Sequence, residues 1–441
     1  MNTEKMDLPS EPLALFWFRR DLRLEDNKAL WNALSGDVPV LPVFIFDTTI
    51  LNELDKEDAR VHFIHEELHK IHQKLASYGS GLLTFHGTPE RVFQQLIKSY
   101  SVHSVFANKD FEPKTRARDE KITRLLNENG VSFHLSTDHL IFEPGSVLKM
   151  DGTPYTVYTP FKKAWLFKFD QRLLEASPSE TSKNYLSHST HFPSLDELGF
   201  KGSSIKVHPF TLNVVARYKE QRDFPDLNAT SYLGPHLRFG TVSVRKIILA
   251  IHEEEDPTFL SELIWREFFA HILYHFPAVE TNNFRSKYNG IEWENNPEHL
   301  ERWKKGQTGY PIVDAGMRQL RETGYMHNRV RMITASFLCK HLLIDWREGE
   351  RHFARHLLDF ELASNNGNWQ WCAGTGCDAA PYFRIFNPYE QTKKFDSKLN
   401  YIRTWVPELE SFDYPSPVVD HAFARQRALD RYKLGISSSV I

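Results

Sequence analysis

Three short segments combine residue types whose spacing suits chemistry. In the first, Glu262 and Trp265 stand at i and i+3 of a helical pattern, with Arg266 one turn from Glu262. In the second, His327-Asn328-Arg329-Val330-Arg331-Met332, helical spacing puts Asn328 and Met332 on one face and His327 and Arg331 on another. In the third, Asp359 to Trp371, a helix would set Trp369 and Trp371 about 200° apart around its axis, so the two indoles face different surroundings. Taken alone, the first has a plainer reading as a core Trp beside a surface ion pair, and the third as one core and one surface Trp. Together, the interleaved carboxylates, amides, cations, a thioether and aromatic planes suit a ligand cavity better than a uniform core.

Other motifs carry less. His65-Glu66-Glu67-Leu68-His69 has the spacing of a zinc-protease helix but offers no third ligand nearby, and with 21 His in the chain a chance match is expected. Gly79-Ser80-Gly81 and Gly374-Thr375-Gly376 lack the third glycine of a dinucleotide loop. No Walker-type Lys follows a Gly-rich run, and there is no G-x-S-x-G elbow. Neither a hydrolase nor an NTPase is indicated, and no metal site is expected.

The elements that must position these residues fall into three stretches. Leu13–Phe18, Val40–Phe46, Leu82–His86, Ser104–Ala107 and Val131–Leu135 read as strands, separated by helices over Ala59–Tyr78, Pro89–Tyr100 and Arg116–Asn129. This alternation predicts an α/β domain with a parallel, Rossmann-like sheet over residues 1–140. Over 141–206 the periodicity fades into Pro, Ser, Gly and Thr, with one short helix at Tyr158–Phe169, which reads as an interdomain linker. From 207 to 441 the pattern is helical, in Val242–Glu254, Phe259–His275, Ile312–Thr323, Asn328–Leu343 and Arg351–Leu358, giving an all-α second domain.

Composition bounds the function. The 441 residues carry a formal charge of −3, and the part from Lys201 onward holds 31 Lys and Arg against 29 Asp and Glu, so nucleic-acid binding would need a local patch. Seven of the ten Trp fall between Trp265 and Trp405, a density beyond ordinary packing needs. Cys339, Cys372 and Cys377 are too few for a disulfide framework. The start Met1–Pro12 is polar and no apolar run approaches the ~20 residues of a membrane span, so a cytoplasmic protein is expected.

Longer blocks resemble the photolyase/cryptochrome family, most closely the class I cyclobutane pyrimidine dimer photolyases. The similarity runs from Phe16-Trp17-Phe18-Arg19-Arg20-Asp21-Leu22-Arg23 to Trp405-Val406-Pro407-Glu408 and is most specific in Thr308–Arg318, Met326–Met332 and Asn365–Trp371. It implies an antenna domain followed by a helical FAD- and DNA-binding domain, and light-driven repair of pyrimidine dimers through FADH⁻. Tyr218 and Thr230-Ser231-Tyr232-Leu233-Gly234 are then expected at the FAD phosphates, with Gly234 where the family commonly has Ser. Arg331, Asp359, Glu361 (in place of the usual Asp) and Asn365 are expected around the flavin ring.

The same resemblance places Trp265 and Trp371 as walls for a flipped dimer, a mode of access general to enzymes that work on bases. Glu262, Asn328 and Met332 line that pocket, Arg222, Arg266, Arg329 and Arg384 meet DNA phosphates, and Trp369, Trp346 and Trp293 form an electron chain to the flavin. UV-damaged DNA is the implied partner of a monomer that needs no other protein. An antenna chromophore is implied near Asn108–Thr115, where Lys114 and Thr115 depart from some folate-binding relatives, leaving folate, deazaflavin or a flavin open. A (6-4) photolyase would carry an adjacent His pair that Met326-His327-Asn328-Arg329 lacks. A cryptochrome-type photoreceptor is the rival from another class, disfavoured by Asn365, Met332 and the two pocket Trp.

Overall fold

A computed structural model describes residues 11–252 and 256–438; expectations for residues 1–10 and for the end of Val242–Glu254 lie outside them. The chain divides into two compact units. One holds the chain up to Glu143 together with Phe169–Val207 and Pro235–His252, the other Pro144–Lys168, His208–Gly234 and the described chain from 256 onward.

The first unit is a five-stranded parallel sheet, β1 (Leu13–Phe18), β2 (Val40–Asp47), β3 (Leu83–Gly87), β4 (Val102–Asn108) and β5 (Ser132–Ser136), in the order β3-β2-β1-β4-β5. The central strand β1 is apolar and buried at every position because both faces of the sheet are covered. Phe16 and Phe18 point into one core with Leu30, Phe46 and Leu68, whereas Leu15 and Trp17 point into the other with Val43, Phe93 and Leu126. The crossovers run through α1 (Lys28–Leu34), which the sequence pattern did not reveal, α2 (Ala59–Ala76), α3 (Pro89–Ser99) and α4 (Pro113–Glu128). Asn27 and Asp58 cap α1 and α2, and Pro89 and Pro113 stand at the starts of α3 and α4, where a missing N–H costs nothing.

Polar residues attach the later segments to this unit. Ser179 Oγ donates to the Leu24 carbonyl at 2.6 Å, and Asn184 Nδ2 reaches the Gly36 carbonyl at 2.9 Å, so a stretch without periodicity satisfies backbone in the loops on either side of α1. Arg245 pairs with Asp26 at 3.0 Å and with Asp138 at 2.8 Å, and all three side chains are buried. Such charges are tolerated inside because each is paired and hydrogen-bonded. On α2 the rings of His65, His69 and His72 lie around Phe192 at 5.1, 5.3 and 5.5 Å.

The second unit is helical: α5 (Tyr158–Lys168), α6 (Thr258–His275), α7 (Pro311–Thr323), α8 (Asn328–Ser336), α9 (Trp346–His356), α10 (Leu362–Ala373) and α11 (His421–Ser438), with shorter turns between. Its core joins Trp303, Tyr310, Met317, Phe337, Trp346, Phe353 and Trp369. The block Thr308–Arg318 is scaffold: Asp314, fully buried, accepts from Thr308 N–H at 2.7 Å and Gly309 N–H at 3.0 Å, and Arg318 pairs with Glu408 at 2.6 Å. The single helix expected over Asn328–Leu343 instead ends in a π turn, Phe337–His341. That turn buries Lys340, whose ammonium donates to the carbonyls of Tyr382 at 3.0 Å and Arg384 at 3.4 Å; burial pushes its pKa down to about 8. The thiols of Cys339, Cys372 and Cys377 are all buried and free. No described helix is long and apolar enough to cross a membrane.

Candidate active site

On α6, Glu262 forms an ion pair with Arg222, and Arg222 also lies over the ring of Tyr218 at 5.2 Å. Burial pushes the Glu262 carboxyl up; Arg222 opposes this and Asp223 adds to it. One turn on, the half-buried Trp265 stacks on Tyr158 with ring centres 3.6 Å apart and planes 7° from parallel. Arg266 pairs with Glu361 at 3.1 Å, and Arg329 with Asp223 at 2.6 Å. Three of the four expected DNA-facing arginines therefore already hold a carboxylate, whereas Arg384 is exposed.

A second group gathers residues expected at the cofactor. Arg331 Nη2 meets Asp359 Oδ2 at 2.9 Å and its Nε donates to the Met326 carbonyl at 2.8 Å. Gly234 adjoins this pair: a Cβ there would lie 2.8 Å from Asp359 Oδ2, so the glycine found in place of Ser accommodates the carboxylate. Just before it, Tyr232 adopts φ 54, Leu233 N–H donates to Ser231 Oγ at 3.3 Å, and Thr230 is half-buried. Asn365 donates through Nδ2 to Glu350 Oε1 at 2.8 Å, and burial pushes the Glu350 carboxyl up. Tyr218, expected with the 230–234 loop at the phosphates, packs edge-on to Phe259 at 5.0 Å beside Arg222.

The third group is aromatic. Trp369 is 2% exposed and packs edge-on against Phe353 at 4.9 Å and Trp303 at 6.1 Å. Trp346 opens α9 with its Nε1 donating to Asn283 Oδ1 at 2.8 Å, and Gly349 on the same helix leaves the space that the Trp369 indole fills. Half-buried Trp293 meets Tyr432 edge-on at 5.9 Å. Asn328 is exposed at the start of α8, and Met332, on the same face, is half-buried, as is Trp371 on α10.

The match to known proteins is decisive. Residues 14–181 fit the family described as DNA photolyase, and residues 259–413 fit the FAD binding domain of DNA photolyase. The deoxyribodipyrimidine photo-lyase of Escherichia coli is 38% identical, the alignment covering 95% of this chain and 98% of that one. This chain belongs to the DNA photolyase family. Among solved photolyase structures, a class III photolyase from Agrobacterium tumefaciens superposes with a TM-score of 0.86 at 35% identity, covering 98% of this chain and 99% of the other. An archaeal photolyase from Sulfolobus tokodaii with two FAD molecules gives 0.83 at 36%, covering 96% and all of that chain.

The photolyase residues fit FAD on structural grounds. Asp359 Oδ1 and Trp369 Nε1 are buried polar atoms with no hydrogen-bond partner among the described residues, and such atoms call for one. The sequence pattern missed Tyr158 and Glu350. Tyr158 lies in a stretch whose composition reads as a connection, and Glu350 shows its role only through its bond to Asn365.

Proposed function

We propose that this photolyase splits cyclobutane pyrimidine dimers in UV-damaged DNA under near-UV or blue light, acting as a cytoplasmic monomer. The observation that carries the reading is the α6 cluster, in which a half-buried carboxylate paired with Arg222 stands one turn from a half-buried, stacked indole. FAD, when bound in its reduced form, would supply light-driven one-electron chemistry for opening the cyclobutane ring, with no net redox change.

The chain's own residues do the rest. Arg331, Asp359, Glu361 and Asn365 would hold the flavin ring, with Tyr218 and Thr230, Ser231, Tyr232, Leu233 and Gly234 at the phosphates, where hydroxyls and backbone N–H groups suit anions. Trp265 and Trp371 sandwich the flipped dimer; stacking of this kind contributes about 1–3 kcal/mol per base. Glu262, held beside Arg222, lies at the pyrimidine edge and stabilises charge developing there. Asn328 and Met332 complete the pocket. Arg384 positions a phosphate, with Arg222, Arg266 and Arg329 contributing to the extent that their carboxylate partners leave them free. Trp369, Trp346 and Trp293 carry electrons inward to oxidised flavin. The sheet unit around Asn108–Thr115 holds an antenna chromophore, a folate, deazaflavin or flavin, to be identified by mass and absorption after release.

The test is recovery of intact thymines from a dimer-containing oligonucleotide, in blue light and in darkness, with the parent, Asn328→Ala and Glu262→Ala. Light-dependent recovery that weakens in both variants is expected. Dimers that persist although the protein holds reduced FAD would overturn the repair reading and leave light signalling as the leading one.

A further inference from the structure

Tyr158 has no part in the chemistry above, yet its geometry is specific. The ring lies face to face on Trp265, 3.6 Å between centres and 7° from parallel, and is itself only 8% exposed. Aromatic pairs ordinarily prefer offset or edge-on contact, so so full an overlap needs both rings to be held from outside.

Several groups hold the Tyr158 ring. Tyr158 Oη donates to the Ser261 carbonyl at 2.8 Å, its backbone N–H donates to Asp378 Oδ2 at 3.0 Å, and its ring meets Phe268 edge-on at 5.8 Å. Its helix α5 is fastened along α6 by Lys162 Nζ to Ser261 Oγ at 2.6 Å and by Trp165 Nε1 to Glu267 Oε2 at 2.6 Å. Asp378 lies in the turn that follows α10, the helix of Trp371, and holds φ 44, a conformation unfavourable for a residue with a side chain. Tyr158 therefore touches Trp265 directly and the Trp371 helix through its exit turn.

An indole covered this closely on one face, and further bounded by Phe268 edge-on at 5.6 Å and by Phe269 at 5.4 Å with planes 28° apart, cannot turn over. We propose that Tyr158 is the positioning residue for Trp265, fixing the plane against which a flipped pyrimidine dimer stacks. This rests on the reading of Trp265 as a wall of the dimer pocket. Tyr158 touches neither flavin nor dimer; it restricts the indole in advance, so binding the dimer does not have to order it.

The experiment compares the flavin-loaded parent with Tyr158→Leu, Tyr158→Phe, Trp265→Ala and the double variant Trp265→Ala/Tyr158→Leu. Dissociation constants for dimer-containing and undamaged oligonucleotides are measured in the dark, with flavin content and melting as controls for folding. Tyr158→Leu is expected to weaken dimer binding roughly three- to tenfold, the scale of one aromatic pair, with undamaged DNA unaffected. Tyr158→Phe, which keeps the ring, restores most of that loss, and Tyr158→Leu adds nothing further once Trp265 is Ala. Parent-like dimer affinity in Tyr158→Leu, with Trp265→Ala weakened, overturns the proposal and leaves the pocket reading standing. So does an additive loss in the double variant, which would mark general packing. Parent-like affinity in Trp265→Ala removes the pocket reading and the proposal with it. If Tyr158→Leu does not fold, Tyr158→His, a smaller ring with less overlap, carries the same comparison.

Discussion

Gly349→Ala tests how tightly α9 and α10 are fitted. Gly349 is buried within α9, and a Cβ there would fall on the six-membered ring of the Trp369 indole and lie 2.6 Å from Leu338 Cδ2. The indole has nowhere to go, because Phe353 and Trp303 meet it edge-on at 4.9 and 6.1 Å. Two effects compete. Alanine in a helix interior is better than glycine by about 1 kcal/mol, whereas forcing a methyl into a filled core costs about 1–3 kcal/mol. With ring carbons as the obstacle, the upper part of that range applies, leaving a net loss of about 1–2 kcal/mol and a fall in Tm of roughly 2–8 °C. Melting followed by near-ultraviolet circular dichroism measures it, and illumination of oxidised protein with an external reductant reports whether the displaced indole still delivers electrons. Slower photoreduction should accompany the lower Tm. A Tm at or above the parent's would refute the reasoning, since it would mean that Trp369 yields without cost and helix propensity decides the outcome.

Other perturbations address the cofactor, the electron path and pH. Arg331→Leu removes a charged hydrogen bond to Asp359, worth about 1.5–3 kcal/mol, so FAD affinity should fall about ten- to a hundredfold, read from flavin released on dilution. Trp346→Phe should suppress photoreduction of oxidised flavin while chemically reduced protein still repairs dimers; equal loss of both would sink the electron-chain role. His327 caps α8, with Nδ1 accepting from Arg329 N–H at 3.2 Å, and burial holds its pKa down to about 4 from 6.5. Because the unfolded chain takes up that proton first, this contribution to stability is complete above pH 6.5 and is lost as the pH falls towards 4. His327→Asn keeps a capping side chain and should flatten the denaturation midpoint against pH in that window by about one proton, ~1.4 kcal/mol per pH unit.

How much could be read from the sequence depended on periodicity. Leu13–Phe18 is found at the expected limits because a strand covered on both faces is an unbroken apolar run. The helices around Glu262 and Asn328 declared themselves by i, i+3 and i+4 spacing, whereas α10, which carries Trp369, did not stand out by its periodicity. Helix α1 is only seven residues long, too short for a periodic signal, and the π turn at Phe337–His341 arises where Lys340 reaches carbonyls more than forty residues away. The pairing of Arg266 with Glu361 rather than with solvent is likewise a tertiary fact. Tyr158 illustrates the general difficulty: its neighbours in sequence look like a connection, and its meaning lies in a ring more than a hundred residues distant.

The three cysteines have a practical consequence. Burial pushes the thiols of Cys372 and Cys377 up to about 12 and that of Cys339 up as well, so at neutral pH almost no thiolate is present to meet a maleimide. The natural chain thus provides a silent background for site-specific dye attachment. A cysteine placed at Phe412, whose side chain is fully exposed, would be the single reactive thiol, and a fluorophore there could follow DNA arrival in real time without first stripping the protein of its own sulfur.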